Sequence, residues 1–243
     1  MNDACNRALY APLRQAFATP SIAWAVQCDF DGTICLTDVA DSLLQRFGRP
    51  GWEALEEDWE AGRIGSRACM QGQVALLDMS QDELDAHLDQ LSIDPGFPAF
   101  VAAAERLGVP LQVVSDGLDY AIHRILAAHG LDHLPVLANR LLRTGERSWA
   151  LECPHGSDAC VRASGNCKCA RLADVKPVRA RQVLFVGDGS SDFCVSGRAD
   201  HVLAKARLID HCRERGYPHT PFVQFDEACA MLQQLALPEG ACA

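Results

Sequence analysis

Short apolar runs alternate along the chain with longer segments in which apolar residues recur every three or four positions. Residues 22–28 (IAWAVQC), 109–114 (VPLQVV) and 181–189 (RQVLFVGDG) are typical of buried strands. Residues 137–152 alternate weakly and predict a hairpin. Helical spacing fills the intervals, as in residues 97–107. Strands that alternate with helices predict an α/β fold, a doubly wound parallel sheet covered on both faces.

A helical insertion interrupts this alternation. Residues 37–96 show helical spacing and contain no candidate strand. Asp38 or Thr37 can cap the first helix, Ser80-Gln-Asp-Glu83 fits a capping box, and Asp94-Pro95-Gly96 marks the end of the insertion. The predicted units are a core of residues 1–36 and 97–243 and a helical cap domain of residues 37–96.

Composition and charge narrow the range of partners. The 243 residues contain no apolar run long enough to span a membrane, and the N-terminal residues do not resemble a secretory signal, so we expect a cytoplasmic protein. A net charge of −10 argues against nucleic acid and against anionic membranes as partners. An anionic substrate would need local positive charge, and a bound metal ion is the obvious source.

Polar residues follow three of the predicted strands. Asp29 and Asp31 follow the first strand, Ser115 follows the second, and Asp188 and Asp192 follow the third. In an open parallel sheet these strand ends meet at one edge, where ligands bind. Several carboxylates at one point repel each other unless a cation lies among them, and an all-oxygen ligand set suits Mg²⁺. A carboxylate beside Mg²⁺ can attack phosphorus, and a second acid two residues on can protonate the leaving alcohol.

These motifs, in this order, resemble those of the haloacid dehalogenase superfamily of phosphatases. They are Asp29-Phe30-Asp31-Gly32-Thr33, Ser115, a lysine, and Gly187-Asp188-Gly189-x-x-Asp192. The resemblance extends from about Ala23 to the C-terminal helix. It implies a Rossmannoid core and, between the first motif and Ser115, a small C1-type helical cap like that of the phosphoserine phosphatase subgroup.

The resemblance also implies roles for the site residues. Asp29 would be the nucleophile and Asp31 the general acid and base. Mg²⁺ would be bound by Asp29, by Asp31 through its backbone carbonyl and by Asp188, with Asp192 in support. Ser115 and a lysine would hold the phosphoryl oxygens. The lysine is either Lys168 or Lys176, and we favour Lys168. The expected substrate-binding residues are Gly32, Asp38, Arg67 and Gly117.

The substrate is expected to be a small phosphorylated metabolite because the cap is short. The sequences GDGSSDFC, GNCK and GRIGSRACMQGQ are most similar to the branch of methionine-salvage 2-hydroxy-3-keto-5-methylthiopentenyl-1-phosphate phosphatases. Phosphoethanolamine/phosphocholine phosphatases share some of these features. Phosphoserine phosphatases carry a carboxylate-binding arginine where Gln73 aligns, and this difference argues against phosphoserine. A phosphotransferase or mutase that uses the same intermediate stays an alternative, and the oligomeric state, a homodimer included, is open.

Twelve cysteines raise a further alternative, a non-catalytic zinc-binding module. The candidate ligands are Cys153, His155, Cys160, Cys167 and Cys169. Their gaps fit no standard finger spacing, so we favour reduced thiols in a loop. Asp116, beside Ser115, is expected only to cap the following helix.

Overall fold

A seven-stranded sheet forms the centre of the structure. The computed structural model describes residues 24–175 and 182–236, so residues 1–23 of the predicted core lie outside the described part of the chain. The strands are β1 (Trp24–Cys28), β2 (Leu111–Leu118), β3 (Val136–Arg143), β4 (Trp149–Glu152), β5 (Gln182–Gly187), β6 (His201–Ala204) and β7 (His219–Pro221). They lie in the order β4-β3-β2-β1-β5-β6-β7. All neighbouring pairs are parallel except β3 and β4, which form the predicted hairpin.

The helices cover the sheet and fill the predicted insertion. They are α1 (Val39–Phe47), α2 (Trp52–Glu60), α3 (Ser66–Ala75), α4 (Gln81–Leu88), α5 (Phe97–Arg106), α6 (Asp119–Ala128), α7 (Lys168–Val175), α8 (Phe193–Ser196), α9 (Ala206–Arg215) and α10 (Phe225–Ala236). The α/β fold with a mostly parallel sheet is therefore confirmed. Within the described residues, no helix is long and apolar enough to cross a bilayer.

Strand β1 is the central strand of the sheet, with three strands on either side of it. It pairs with β2 on one side and with β5 on the other. All five of its residues are buried, as expected for a short apolar run inside a parallel sheet. Cys28, its last residue, is in register with Val113 of β2 and Val186 of β5. The residues after Cys28 therefore emerge at the topological switch point, where α/β sheets bind ligands.

Alternate side chains of β5 pack on opposite faces of the sheet. Leu184 and Val186 pack into one apolar cluster, which also contains residues from the first and last helices. Val183 and Phe185 pack into a second cluster on the opposite face. Burial on both faces explains why β5 reads as a continuous apolar run rather than an alternating one.

Local capping confirms the start of two helices in residues 37–96. Asp38 is the N-cap of α1, where its Oδ1 accepts a hydrogen bond from the Asp41 backbone N–H. Ser80 and Glu83 form the predicted capping box of α4. The hairpin packs on this helical segment, because the Trp149 indole N–H donates to the Met79 carbonyl.

Some element predictions were wrong in detail. Strand β2 continues to Leu118, so Ser115 lies inside the strand rather than at its end. Strands β6 and β7 were missed because they contain only four and three residues, too few to form a recognisable run. Asp116 does not cap α6: the N-cap is Leu118, and no side chain caps this helix.

Candidate active site

The carboxylates that follow β1 and β5 meet at the switch point of the sheet. Asp29 continues the strand pairing, since its backbone N–H donates to the Val186 carbonyl at 2.9 Å. Ligand oxygens of Asp29, Asp188 and Asp192 all lie within 4.8 Å of one another. Among the described histidines, cysteines and acidic residues, this is the one group of three or more that could hold a metal ion. The predicted convergence of the carboxylates is present in the structure.

Lys168 is buried between two of these carboxylates. Its Nζ lies 2.7 Å from Asp29 Oδ1 and 2.7 Å from Asp192 Oδ1, and its side chain is 3% exposed. Burial disfavours the ammonium, but the Asp192 and Asp29 carboxylates outweigh it and raise the pKa of Lys168 above its ordinary value. Lys168 is thus a fixed positive charge beside Asp29. The competing candidate, Lys176, lies outside the described residues.

Asp192 organises the loop after β5. It is fully buried, and its Oδ2 accepts hydrogen bonds from the backbone N–H groups of Asp188 (3.0 Å) and Gly189 (3.2 Å). Its Oδ1 accepts from Lys168. Because both of its oxygens are engaged, Asp192 supports the site from behind, while Asp29 and Asp188 line the open cavity.

Asp31 lies two residues after Asp29 and lines the same cavity. Its Oδ1 accepts from the Val39 backbone N–H at 2.9 Å, and its Oδ2 lies 3.5 Å from Ser115 Oγ. Burial, and then the nearby Asp38 carboxylate, raise the pKa of Asp31 to about 7. A carboxyl group with this pKa can both donate and accept a proton near neutral pH.

Two glycines make room for these carboxylates. Gly32 has a φ of +70°, and a Cβ on it would lie 2.5 Å from Asp188 Oδ2. A Cβ on Gly117 would lie 2.5 Å from Asp31 Oδ2. Both glycines were predicted to contact substrate, and in the structure each one packs directly against a site carboxylate.

A cavity of about 420 Å³ opens above the carboxylates. The core contributes Asp29, Asp31, Ser115, Gly117 and Asp188 to its lining. Helices α1 to α3 contribute a second wall that contains Leu44, Trp59 and Met70. Gln73 lies in the same wall, buried, and its amide donates to Glu56 Oε2 at 2.8 Å. The cavity is thus acidic on the core side and partly apolar on the cap side.

Two residues of the helical segment 37–96 were predicted to contact substrate, and one of them lines the cavity while the other does not. Asp38 lines the cavity, as predicted. Arg67 was predicted to bind substrate, but it does not line the cavity. Its guanidinium instead donates to the Ser164 carbonyl at 3.3 and 3.4 Å and packs against Gly156. Arg67 therefore holds the loop before α7 against the cap.

Asp116 is a cavity residue that the sequence prediction treated only as a helix cap. It lines the cavity, and its Oδ2 accepts from Ser66 Oγ at 2.8 Å. Its Oδ1 accepts from the Asn166 backbone N–H at 2.7 Å. Asp116 thus joins the cap, the core and the loop that leads to Lys168. Its place beside Ser115 and Gly117 was the available signal, but an Asp before a helix is more often a cap.

The cysteine-rich segment contains the candidate zinc ligands of the sequence. Cys153, Cys160, Cys167 and Cys169 are free thiols. With His155 they do not assemble three ligand atoms in one place anywhere in the described part of the chain. Cys160 Sγ instead lies 3.1 Å from Ser164 Oγ.

Known proteins that are similar to this chain are named as hydrolases or phosphatases. The sequence profile of the haloacid dehalogenase-like hydrolase family matches residues 26–196. The 2-hydroxy-3-keto-5-methylthiopentenyl-1-phosphate phosphatase of Brevibacillus brevis is 31% identical over 213 residues, covering 86% of this chain and 94% of that protein. The protein of the same name from Geobacillus kaustophilus is 32% identical over 211 residues, with the same coverage of 86% and 94%.

Solved structures show the same fold at lower sequence identity. A phosphoserine phosphatase determined as a phospho-aspartyl intermediate analogue superposes with a TM-score of 0.66 at 17% identity, covering 86% of this chain and 97% of that one. A HAD family hydrolase from Salmonella enterica superposes with a TM-score of 0.67 at 18% identity, covering 90% of this chain and 72% of that one. At these identities the likeness concerns the fold alone.

Proposed function

The chain belongs to the haloacid dehalogenase-like hydrolase family, and we propose that it is a Mg²⁺-dependent phosphatase acting through a phosphoryl group on Asp29. The observation that carries the proposal is the position of Asp29, whose carboxylate meets Lys168 at 2.7 Å and lines a cavity of about 420 Å³. Relatives that are about 31% identical over most of the chain and are named phosphatases support the same reaction class.

The donor set fits Mg²⁺. Asp29 and Asp188 offer carboxylate oxygens within 4.8 Å of each other and would hold the ion. The family resemblance adds the Asp31 backbone carbonyl as a third ligand. Burial, and then the Asp192 carboxylate, raise the pKa of Asp188 to about 6, so a neighbouring cation would stabilise its ionised form. When bound, the ion would neutralise the oxygens of an incoming phosphate.

The side chains of the site can perform two successive displacements. Asp29 attacks phosphorus, and the bond from phosphorus to the alcohol oxygen breaks while Asp31 gives that oxygen a proton. Asp31, now ionised, takes a proton from water, and the resulting hydroxide attacks phosphorus and releases phosphate from Asp29. Lys168 and Ser115 hold phosphoryl oxygens during both steps. The products are the alcohol and inorganic phosphate.

The cap-side wall favours a substrate whose distal end is not a carboxylate. Leu44, Trp59 and Met70 offer apolar surface there, and the Gln73 amide is already engaged by the Glu56 carboxylate. An anionic group placed at this wall would meet Glu56 rather than a cation. We therefore propose 2-hydroxy-3-keto-5-methylthiopentenyl-1-phosphate, with its uncharged thioether end, as the first substrate to test.

The experiment that tests the proposal is a phosphate-release screen over small metabolite phosphates with and without Mg²⁺. The panel contains the methylthiopentenyl enol phosphate, phosphoserine, phosphoethanolamine, phosphocholine and an aryl phosphate. We expect Mg²⁺-dependent release that is fastest with the first compound. No release from any of the five would reject the phosphatase, and preference for phosphoserine would reject only the substrate.

Removal of the metal is expected to stop the reaction. Chelation should abolish phosphate release, and added Mg²⁺ should restore it, because Asp29 cannot receive a phosphate dianion against unneutralised carboxylates. Asp188→Asn should raise the half-saturating Mg²⁺ concentration by about ten-fold or more. Asp132→Asn, which alters an exposed aspartate after α6, is the control and should leave that concentration unchanged. Equal titrations for the two variants would contradict the assignment of Asp188.

Gly32→Ala is expected to lower catalytic activity in addition to the stability of the folded state. A left-handed φ costs alanine about 1–2 kcal/mol wherever it occurs. Gly130 has the same φ of +70° with nothing within 4 Å of its Cβ position, whereas a Cβ on Gly32 meets the Asp188 carboxylate. Chemical denaturation should therefore show a loss of stability in both variants, at least as large for Gly32→Ala as for Gly130→Ala. Only Gly32→Ala should also lower kcat/KM, by about ten-fold. Equal values of kcat/KM in the two variants would show that the contact with the Asp188 carboxylate is unimportant.

A further inference from the structure

The entrance of the cavity is acidic, and this creates a problem for an anionic substrate. Asp38 and Asp41 line the cavity and are exposed, so they lie at its opening, and Glu56 lines the wall beyond them. The whole chain carries a net charge of −10. A phosphate dianion that approaches this opening is repelled before it reaches Lys168, which is buried and already paired with two carboxylates.

Arg207 is the residue that can offset this repulsion. Among the residues that the structure describes, it is the one arginine or lysine that lines the cavity. It is exposed, so it too lies at the opening. Arg213, six positions further along α9, pairs with Asp210 at 2.7 Å, whereas the Arg207 side chain has no hydrogen bond or ion pair with any described residue. Its guanidinium is therefore available to a ligand.

The backbone fixes Arg207 beside the carboxylates. The next residue, Leu208, donates its backbone N–H to the Asp188 carbonyl at 2.8 Å. The residue two positions before, Lys205, is buried and bound to the Thr33 carbonyl at 3.1 Å. Between these anchors Ala206 adopts a φ of +42°, a conformation that is strained for alanine. Such strain persists only where the surroundings impose it, and it recurs at functional sites.

We propose that Arg207 captures the phosphate dianion at the entrance of the cavity and delivers it to Asp29. This inference rests on the proposed phosphatase function, which it deepens by naming the residue that sets substrate affinity. The planar guanidinium offers several N–H donors to phosphate oxygens, and its charge attracts the dianion past Asp38 and Asp41. Because the contact precedes the chemical step, it should affect KM rather than kcat.

The test compares Arg207→Gln, Arg207→Lys and Arg215→Gln in steady-state phosphate release with the best substrate of the screen. Arg215→Gln is the matched control, since it makes the same charge change at an exposed position of the same helix, about 12 Å away along its axis. We expect Arg207→Gln to raise KM about five- to ten-fold at low ionic strength with kcat unchanged, and about two-fold at roughly 0.5 M salt. Arg207→Lys keeps the charge but loses the planar fork of donors, so its KM should rise by about three-fold or less, a smaller rise than in Arg207→Gln.

Three results would overturn the capture role. These are an unchanged KM in Arg207→Gln, an equal rise in Arg215→Gln, and a loss in Arg207→Lys as large as in Arg207→Gln. A fall in kcat without a change in KM would assign Arg207 to a later step and would also contradict the proposal. Failure of the phosphatase function itself is distinguishable, because the parent protein would then release no phosphate from any substrate.

Discussion

Asp29→Asn is expected to lower kcat by about 10⁴-fold or more, because an amide cannot form the phosphorylated intermediate. The substitution preserves the shape of the side chain, and the Phe30 backbone N–H can still donate to the remaining oxygen in place of Asp29 Oδ1. Lys168 keeps its contact with Asp192 at 2.7 Å. Circular dichroism should therefore show that the folded state persists, while phosphate release should show that turnover is lost.

The matched control is Asp94→Asn. Asp94 is also a buried aspartate paired with a buried lysine, at 3.2 Å from Lys205 Nζ, but it does not line the cavity. Its substitution should lower the free energy of unfolding while the folded fraction keeps its kcat. Retained hydrolysis of an aryl phosphate by Asp29→Asn would refute Asp29 as the nucleophile. Equal kcat losses in the two variants would attribute the effect to a broken buried pair rather than to lost chemistry.

The convergence of Asp29 and Asp188 could be predicted because the positions of both residues follow from the strands alone. Asp29 and Asp188 each come directly after a mostly apolar strand, and parallel strands bring their carboxyl ends to one edge of the sheet. The pairing of β1 with β5 makes the two carboxylates neighbours. This pairing could not be predicted without the strand order. The strand order depends on packing between segments that are distant in the sequence. It cannot be predicted from the hydrophobic spacing within one segment.

Cap residues were harder to predict because a side chain on an exposed helix can point towards the cavity or away from it. Arg67 and Ser66 are adjacent on α3, yet only Ser66 lines the cavity, while Arg67 turns towards the loop at Ser164. Arg207 was missed for the same reason. Its segment reads as an ordinary amphipathic helix, and its place at the cavity depends on the short strand β6, which the sequence did not reveal.

Replacement of Lys168 by Met is expected to affect both stability and activity. Lys168 is the cation that Asp29 and Asp192 share, and all three side chains are at most 5% exposed. Loss of one partner from a buried ion pair typically costs about 3–5 kcal/mol, because the remaining charges stay buried without compensation. Urea denaturation should show a loss of this order, and kcat of the folded fraction should fall about 10²-fold or more, since a fixed charge on the phosphoryl oxygens is gone.

Lys205→Met is the control that separates the effect on stability from the effect on kcat. Lys205 also pairs with a buried carboxylate, that of Asp94, and its Nζ lies 5.0 Å from the centre of the Phe222 ring. It does not line the cavity, so Lys205→Met should lose comparable stability but keep the kcat of the folded fraction. Lys176→Met completes the comparison, because Lys176 was the competing candidate. A kcat loss in Lys176→Met with an active Lys168→Met would transfer the phosphate-binding role to Lys176, and Lys168 would then be a purely structural partner of the two carboxylates.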